Sequence, residues 1–183
     1  MVMLLLGLVL FLGVHSTRIV ANGWRSDMIG RFGEMPWKAA YAALSIAGFV
    51  LIVWGFGLAR QQPVQLWMPP LTLIAFVLLA ATYVPRNAIK ARLHHPMVLA
   101  VKVWALAHLL SNGNLAHVIL FGTFLLWAAM SFRAARARDR VAGTVYPAGT
   151  AAGTGMTVVV GVAAWALFAF WAHGALIGVR PIG

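Results

Sequence analysis

Apolar runs long enough to cross a membrane follow one another along almost the whole chain, and they restrict its fold more than any other feature. A helix needs about 20 predominantly apolar residues, roughly 17 to 25, to cross the hydrocarbon core of a bilayer. About six such segments can be placed, some with weakly polar ends, at residues 2–20, 37–59, 69–85, 96–111, 115–132 and 155–178. We therefore predict an all-α polytopic membrane bundle with about six transmembrane helices, forming one domain over residues 1–183.

Composition excludes several classes of protein. The chain is 62% hydrophobic and 9% charged, which is outside the range of soluble domains. It has no cysteine, so it has neither a disulfide framework nor a thiol nucleophile. Its three acidic residues fall between the apolar segments, which excludes an intramembrane carboxylate pair. The net charge of +11 comes from residues between apolar runs, so we expect membrane lipid rather than nucleic acid as the electrostatic partner.

Basic residues indicate an orientation in the membrane. The loops after the first, third and fifth segments carry Arg18, Arg25, Arg31, Lys38, Arg86, Lys90, Arg92, Arg133, Arg136, Arg138 and Arg140, whereas the opposite side has Arg60 and Arg180. The positive-inside rule assigns the first set to the cytoplasm, so both termini are expected in the periplasm of a Gram-negative host. The first segment lacks a basic start, which favours a retained span over a cleaved signal peptide.

Ionisable side chains inside a bilayer are costly and mark function by default. His15 lies about 13 residues into the first segment, roughly 20 Å by the helical rise, so it is not an interfacial residue. Arg18 follows by one turn on nearly the same face. A histidine that hydrogen-bonds to a neighbouring helix and an arginine that reaches the headgroups explain this pair equally simply.

A second intramembrane histidine, His108, lies one turn after Trp104 in the fourth segment. The small Ala105 beside it leaves room for a flat ring. Two histidines on different helices are the minimum needed to hold a metal or a haem from both sides, although a simple buried histidine is the alternative. Lys102 in the same segment either reaches the interface or pairs with an anion.

The other four histidines are predicted to lie at the interface. His94 and His95 precede Pro96 at the start of the fourth segment, where solvation or lipid phosphate explains them. His117 and His173 lie near the opposite ends of their segments.

Three blocks of the chain carry a resemblance to a known family: "LGLVLFLGVHSTRIV", "WKAAYAALSIAGFVLIVWGF" and "YVPRNAIKARLHHPMVLAVKVWALAHLLSNGNLAH". Together they resemble the NnrU family of bacterial membrane proteins. The resemblance implies the bacterial inner membrane and a link to nitrite and nitric oxide metabolism, that is, to denitrification.

NnrU proteins are similar to the ζ-carotene isomerase of plants and cyanobacteria, which uses haem b to isomerise a double bond. The haem-binding histidines of that enzyme lie in a His-Ser stretch and a Trp-Cys-Leu-Ala-His stretch. Here His15-Ser16 and the stretch from Trp104 to His108 match them. The resemblance thus implies haem b with His15 and His108 as axial ligands, and the cations available for its propionates are Arg18, Arg92 and Lys102.

Two features leave alternatives open. Ala105 stands where the isomerase has a cysteine implicated in ligand exchange, so electron transfer or sensing competes with isomerase-like chemistry on a lipophilic isoprenoid substrate. His108 is about 6 Å from the following turn, whereas His15 is roughly 20 Å from that side. If helix tilt does not absorb this difference, His94 or His95 is the better partner for His15.

A fainter resemblance concerns "HHPM" at residues 94–97, which is similar to the Arg-His-Pro motif of membrane methyltransferases that bind S-adenosylmethionine. Leu93 replaces the arginine of that motif, and Asp139 is the only acidic residue that follows. A methyltransferase-like protein and a cofactor-free membrane assembly factor are therefore kept as alternatives to the haem protein.

Overall fold

The computed structural model describes residues 1–60 and 69–182, so residues 61–68 and Gly183 of the predicted domain lie outside the description. The described residues form helices and contain no β-strand, which confirms the predicted all-α class. The helices are α1 (Val2–Val20), α2 (Asn22–Phe32), α3 (Glu34–Ala59), α4 (Pro69–Tyr83), α5 (Ala88–Leu93), α6 (Pro96–Ser111), α7 (Leu115–Ala142), α8 (Ala151–Leu167) and α9 (His173–Ile177), and a π-helical turn (Phe168–Ala172) joins the last two.

Apolar helices occupy all six predicted segments, but they differ in length. In the described part of the chain, α1, α3, α7 and the continuous helix Ala151–Ile177 are long and apolar enough to span a membrane, and Pro70–Tyr83 and Pro96–Ser111 are shorter. Among the described residues there are thus four helices of full spanning length, where the sequence predicted about six. Helix α6 has 16 residues, about 24 Å, which is short of a hydrocarbon core of about 30 Å.

Helices α1 and α3 pack with their backbones in contact. A Cβ atom added to Gly55 would lie 2.3 Å from Leu4 N, and one added to Gly48 would lie 2.8 Å from Phe11 N. Small residues permit such close approach between membrane helices. This contact fixes the register of α1 and therefore the depth of His15, one turn after Phe11.

The helices are arranged so that α7 lies between two groups. Helix α3 packs on α1, α1 packs on α7, α7 packs on α6, α6 packs on α4, and α4 packs on α8. The buried core lies where α1, α3, α6 and α7 meet, and its residues are Leu4, Leu8, Leu12, Ile52, Ala105, Ala116, Leu120 and Phe121. Both intramembrane histidines border this core.

At the other end of α7, polar contacts join α5 to the start of α8. The Asn87 side chain accepts a hydrogen bond from the Lys90 amide (2.7 Å) and donates to the Ala81 carbonyl (3.0 Å). The Thr150 amide donates to the Arg86 carbonyl (2.7 Å). The Asn87 bonds thus fix α5 to the end of α4, and the Thr150 bond fixes the start of α8 to the segment before α5.

Candidate functional site

His15 lies at the junction of α1, α3 and α7. Its imidazole stacks on Phe11 with ring centroids 4.2 Å apart, and it contacts Tyr41 of α3 at 5.1 Å and Trp127 of α7 at 6.1 Å. Its Nδ1 is 2.6 Å from the Phe11 carbonyl oxygen. Because a carbonyl only accepts, Nδ1 carries the hydrogen, and Nε2 of the neutral ring carries the lone pair.

His108 has the same local arrangement on α6. Its Nδ1 donates to the Trp104 carbonyl oxygen at 2.8 Å. The imidazole stacks on Phe121 of α7 at 4.5 Å and contacts the Trp104 ring at 5.2 Å. The neutral ring again has its lone pair on Nε2, which is the form in which histidine binds a metal ion.

Aromatic rings stand between the two histidines. Phe124 contacts Phe11 at 6.0 Å and Trp104 at 5.5 Å, so rings connect α1 to α6 across α7. His15 lies beside Trp127 and His108 beside Phe121, six positions apart on α7, or about 9 Å along its axis. The packing therefore retains the difference in depth expected from the sequence. Ala105 is fully buried in the core, so core side chains occupy its surroundings.

The three cations predicted near the propionates are spread along the bundle. Arg18 follows His15 by one turn, and its carbonyl accepts a long hydrogen bond (3.5 Å) from Arg138 Nη1. Lys102 places its Nζ 5.4 Å from the centroid of Phe132, which is closer to the basic end of α7 than to the Phe121 level of His108. Arg92 lies exposed on the short helix α5. Arg18 is therefore the cation best placed near a histidine.

A polar cluster, which we call the His95–Asp139 cluster, consists of His94, His95, Arg136, Asp139 and Tyr146. His95 Nε2 is 2.8 Å from Asp139 Oδ2, and the Tyr146 hydroxyl donates to the same oxygen at 2.9 Å. Arg136 donates to His94 Nδ1, and His94 stacks on Tyr146 at 4.2 Å. The prediction that lipid or water solvates these two histidines was incomplete, because protein groups engage both. The signal in the sequence was the lone acidic residue of the second half.

His117 is another departure from the prediction. It was assigned to the interface, but it is 5% exposed. Its ring lies edge-on to Phe56 at 4.9 Å, and its Nδ1 hydrogen-bonds to Asn114, which caps α7. An asparagine three residues before a histidine at a helix start is the sequence signal for this geometry. No group of three or more His, Cys, Asp or Glu side chains among the described residues is placed to hold a metal ion.

Apolar helices of membrane length, packed around a core bordered by two histidines, define an α-helical integral membrane protein. The chain belongs to the NnrU family, because it matches the family model described as NnrU protein over residues 3–181. It matches no curated protein and no solved structure at a significant level.

Proposed function

We propose that this NnrU protein binds haem b in the bacterial inner membrane, where His15 and His108 would hold the haem iron, that both termini lie in the periplasm, and that the protein acts in nitrite and nitric oxide metabolism. The observation that supports the haem is the shared arrangement of the two imidazoles. Each has Nδ1 on the carbonyl four residues earlier, which orients the ring and leaves Nε2 as the ligand atom. Each also stacks on an aromatic side chain, His15 on Phe11 and His108 on Phe121.

Two neutral imidazoles are suitable ligands for a haem iron. The aromatic rings between them, however, would have to rearrange to admit a haem. The rings of Phe124 and Trp104 contact each other between α1 and α6, so both would have to move for His15 and His108 to hold one haem. When bound, the haem supplies one-electron chemistry at its iron. Arg18 is the first candidate to pair with a propionate. Ala105 offers no thiolate for ligand exchange, which favours electron transfer or sensing over isomerase-like chemistry on an isoprenoid.

The closed aromatic packing favours one second candidate, a membrane assembly factor without a cofactor. In that case the packed rings of Phe11, Phe124 and Trp104 are the functional conformation. The two histidines then only donate hydrogen bonds to backbone carbonyls of their own helices. The methyltransferase-like alternative receives less support, because the histidine of its motif, His95, is engaged by Asp139.

The visible spectrum of purified protein tests the proposal. Wild type and the His15→Ala, His108→Ala, His95→Ala and His173→Ala variants are expressed with supplemented haem and purified in detergent, and oxidised and reduced spectra are recorded. We expect a low-spin b-type spectrum that becomes high-spin or disappears in the first two variants and persists in His173→Ala. A colourless wild type overturns the proposal and favours the assembly factor. Loss in His95→Ala instead of His108→Ala reassigns the second ligand.

A further inference from the structure

Two buried hydrogen-bond donors near His15 have no protein partner. Trp127 Nε1 and Ser45 Oγ are both buried, and neither has a hydrogen-bond partner among the described residues. Leaving a buried donor unpaired costs free energy, so such atoms are rare in folded proteins. An indole N–H can only donate. A ligand that occupies this place must therefore present an acceptor.

Both donors belong to the junction of α1, α3 and α7. Trp127 lies edge-on to His15, with an angle of 85° between the rings. On α3, Ser45 lies one turn after Tyr41 and one turn before Phe49. Tyr41 contacts His15 of α1, and Phe49 contacts Phe11, one turn before His15. Residues one turn apart share a helix face. Ser45 thus faces α1 at the depth of His15.

An apolar groove leads to this junction from the side of α2. It consists of two adjoining clefts of about 320 and 220 Å³ that share Trp24, Trp37 and Ala40. Helix α2 contributes Trp24, Met28 and Phe32, which recur every fourth residue on one face. Tyr41 lines the inner cleft and also contacts His15. Tyr41 therefore belongs both to the wall of the groove and to the junction that contains the unpaired donors.

The apolar groove and the two unpaired donors together specify one kind of ligand. An apolar groove accepts a hydrocarbon tail, and the donors at its inner end accept a carbonyl oxygen. The unpaired atoms are an indole N–H and a hydroxyl, both neutral, so a neutral carbonyl oxygen satisfies them without bringing a charge in among the rings of Phe11 and Tyr41. We propose that the junction binds a neutral lipophilic carbonyl compound of the quinone class, with its head at Trp127 and Ser45 and its tail in the groove.

This inference names a lipophilic partner for the function proposed above, but binding of that partner needs no haem. Equilibrium binding of decylubiquinone to haem-free, detergent-purified protein is therefore measured, with decylbenzene as a matched probe that has the tail and a ring but no carbonyl. Trp127→Phe and Ser45→Ala each remove one donor and retain most of the shape. Trp171→Phe, at a side chain 67% exposed on the last helix, is the control.

We expect decylubiquinone to bind more tightly than decylbenzene, and each donor variant to weaken quinone binding about tenfold. Trp127→Phe should keep or raise the melting temperature without ligand, because it removes an unpaired buried N–H, whereas a purely structural tryptophan would lower it. Equal binding of the two probes, or unchanged quinone affinity in both donor variants, overturns the proposal.

If a donor variant does not fold, photolabelling of wild type with an azidoquinone replaces it. Label on α3 or α7 at the junction supports the site, and label confined to other helices overturns it. The two proposals can fail separately. If the protein is colourless but binds quinone through Trp127, the quinone proposal is supported and the haem proposal is overturned. If it binds haem but binds both probes equally, the haem proposal is supported and the quinone proposal is overturned.

Discussion

His95 Nε2 lies 2.8 Å from Asp139 Oδ2 and so joins the amino end of α6 to the carboxyl end of α7. These residues are separated by 44 positions in the chain. The Tyr146 hydroxyl, from the connection before α8, donates to the same carboxylate oxygen. One carboxylate thus links three segments at the basic end of the bundle.

Replacing this carboxylate should loosen all three segments. Asp139→Asn removes a negative charge that lies among several arginines. It also weakens the hydrogen bonds that His95 and Tyr146 make to this side chain. We expect a lower melting temperature and faster proteolysis of the connection at residues 143–150. Asp27→Asn, at an exposed residue of α2, is the matched control. Equal melting curves for the two variants would show that the cluster contributes nothing to stability.

Stability should fall at high pH because of Tyr146. Burial, followed by the hydrogen bond to Asp139 and its charge, raises the pKa of the Tyr146 hydroxyl above its ordinary value of 10.0. As pH rises, Tyr146 therefore loses its proton in the unfolded chain before it does so in the folded protein. Its contribution to the free energy of unfolding is complete below about pH 10 and disappears as pH rises through the folded pKa. Tyr146→Phe should melt lower than wild type at pH 8, and the gap should narrow above pH 10. Tyr83→Phe, at a side chain 71% exposed, is the matched control.

The contact between α1 and α3 should tolerate no side chain at Gly55. A Cβ atom there meets the Leu4 backbone at 2.3 Å, whereas one at Gly57 has nothing within 4 Å. We expect Gly55→Ala to destabilise the protein by about 1–3 kcal/mol, and Gly57→Ala to be neutral or slightly stabilising. Reversible unfolding in mixed detergent micelles measures both. Similar losses in the two variants would contradict the close packing.

Space between the two histidines should control haem content. Phe124→Ala removes the ring that contacts both Phe11 and Trp104, so it should raise the haem bound per protein after reconstitution. Leu126→Ala, at a side chain 62% exposed on the same helix, should leave haem content unchanged. The ratio of Soret to protein absorbance gives the answer. A fall in haem content with Phe124→Ala would mean that this ring supports the haem site.

Hydropathy and turn residues were sufficient to predict part of the fold. The predicted bounds of residues 2–20 and 96–111 agree with α1 and α6, because Pro96 and the turn after Ser111 mark α6 clearly. The end predicted at residue 132 was too early, since α7 continues to Ala142. Hydropathy falls in "RAARARDR", but alanine and arginine are strong helix formers.

The candidate site was predictable only in its local parts. The sequence placed His15 and His108 on different helices and anticipated their difference in depth. It did not reveal that Asp139 engages His95, that His117 is buried, or that Trp127 contacts His15. Each of these depends on which helices are neighbours, and a single sequence does not specify that pairing.

Helix α7 carries the aromatic neighbours of both intramembrane histidines, Phe121 for His108 and Trp127 for His15. A rotation or axial shift of α7 would therefore displace Phe121 and Trp127 together. The two imidazole environments are therefore mechanically coupled, although the rings do not touch. The same helix ends in the His95–Asp139 cluster, so a shift of α7 that began at this cluster would reach the neighbours of both histidines.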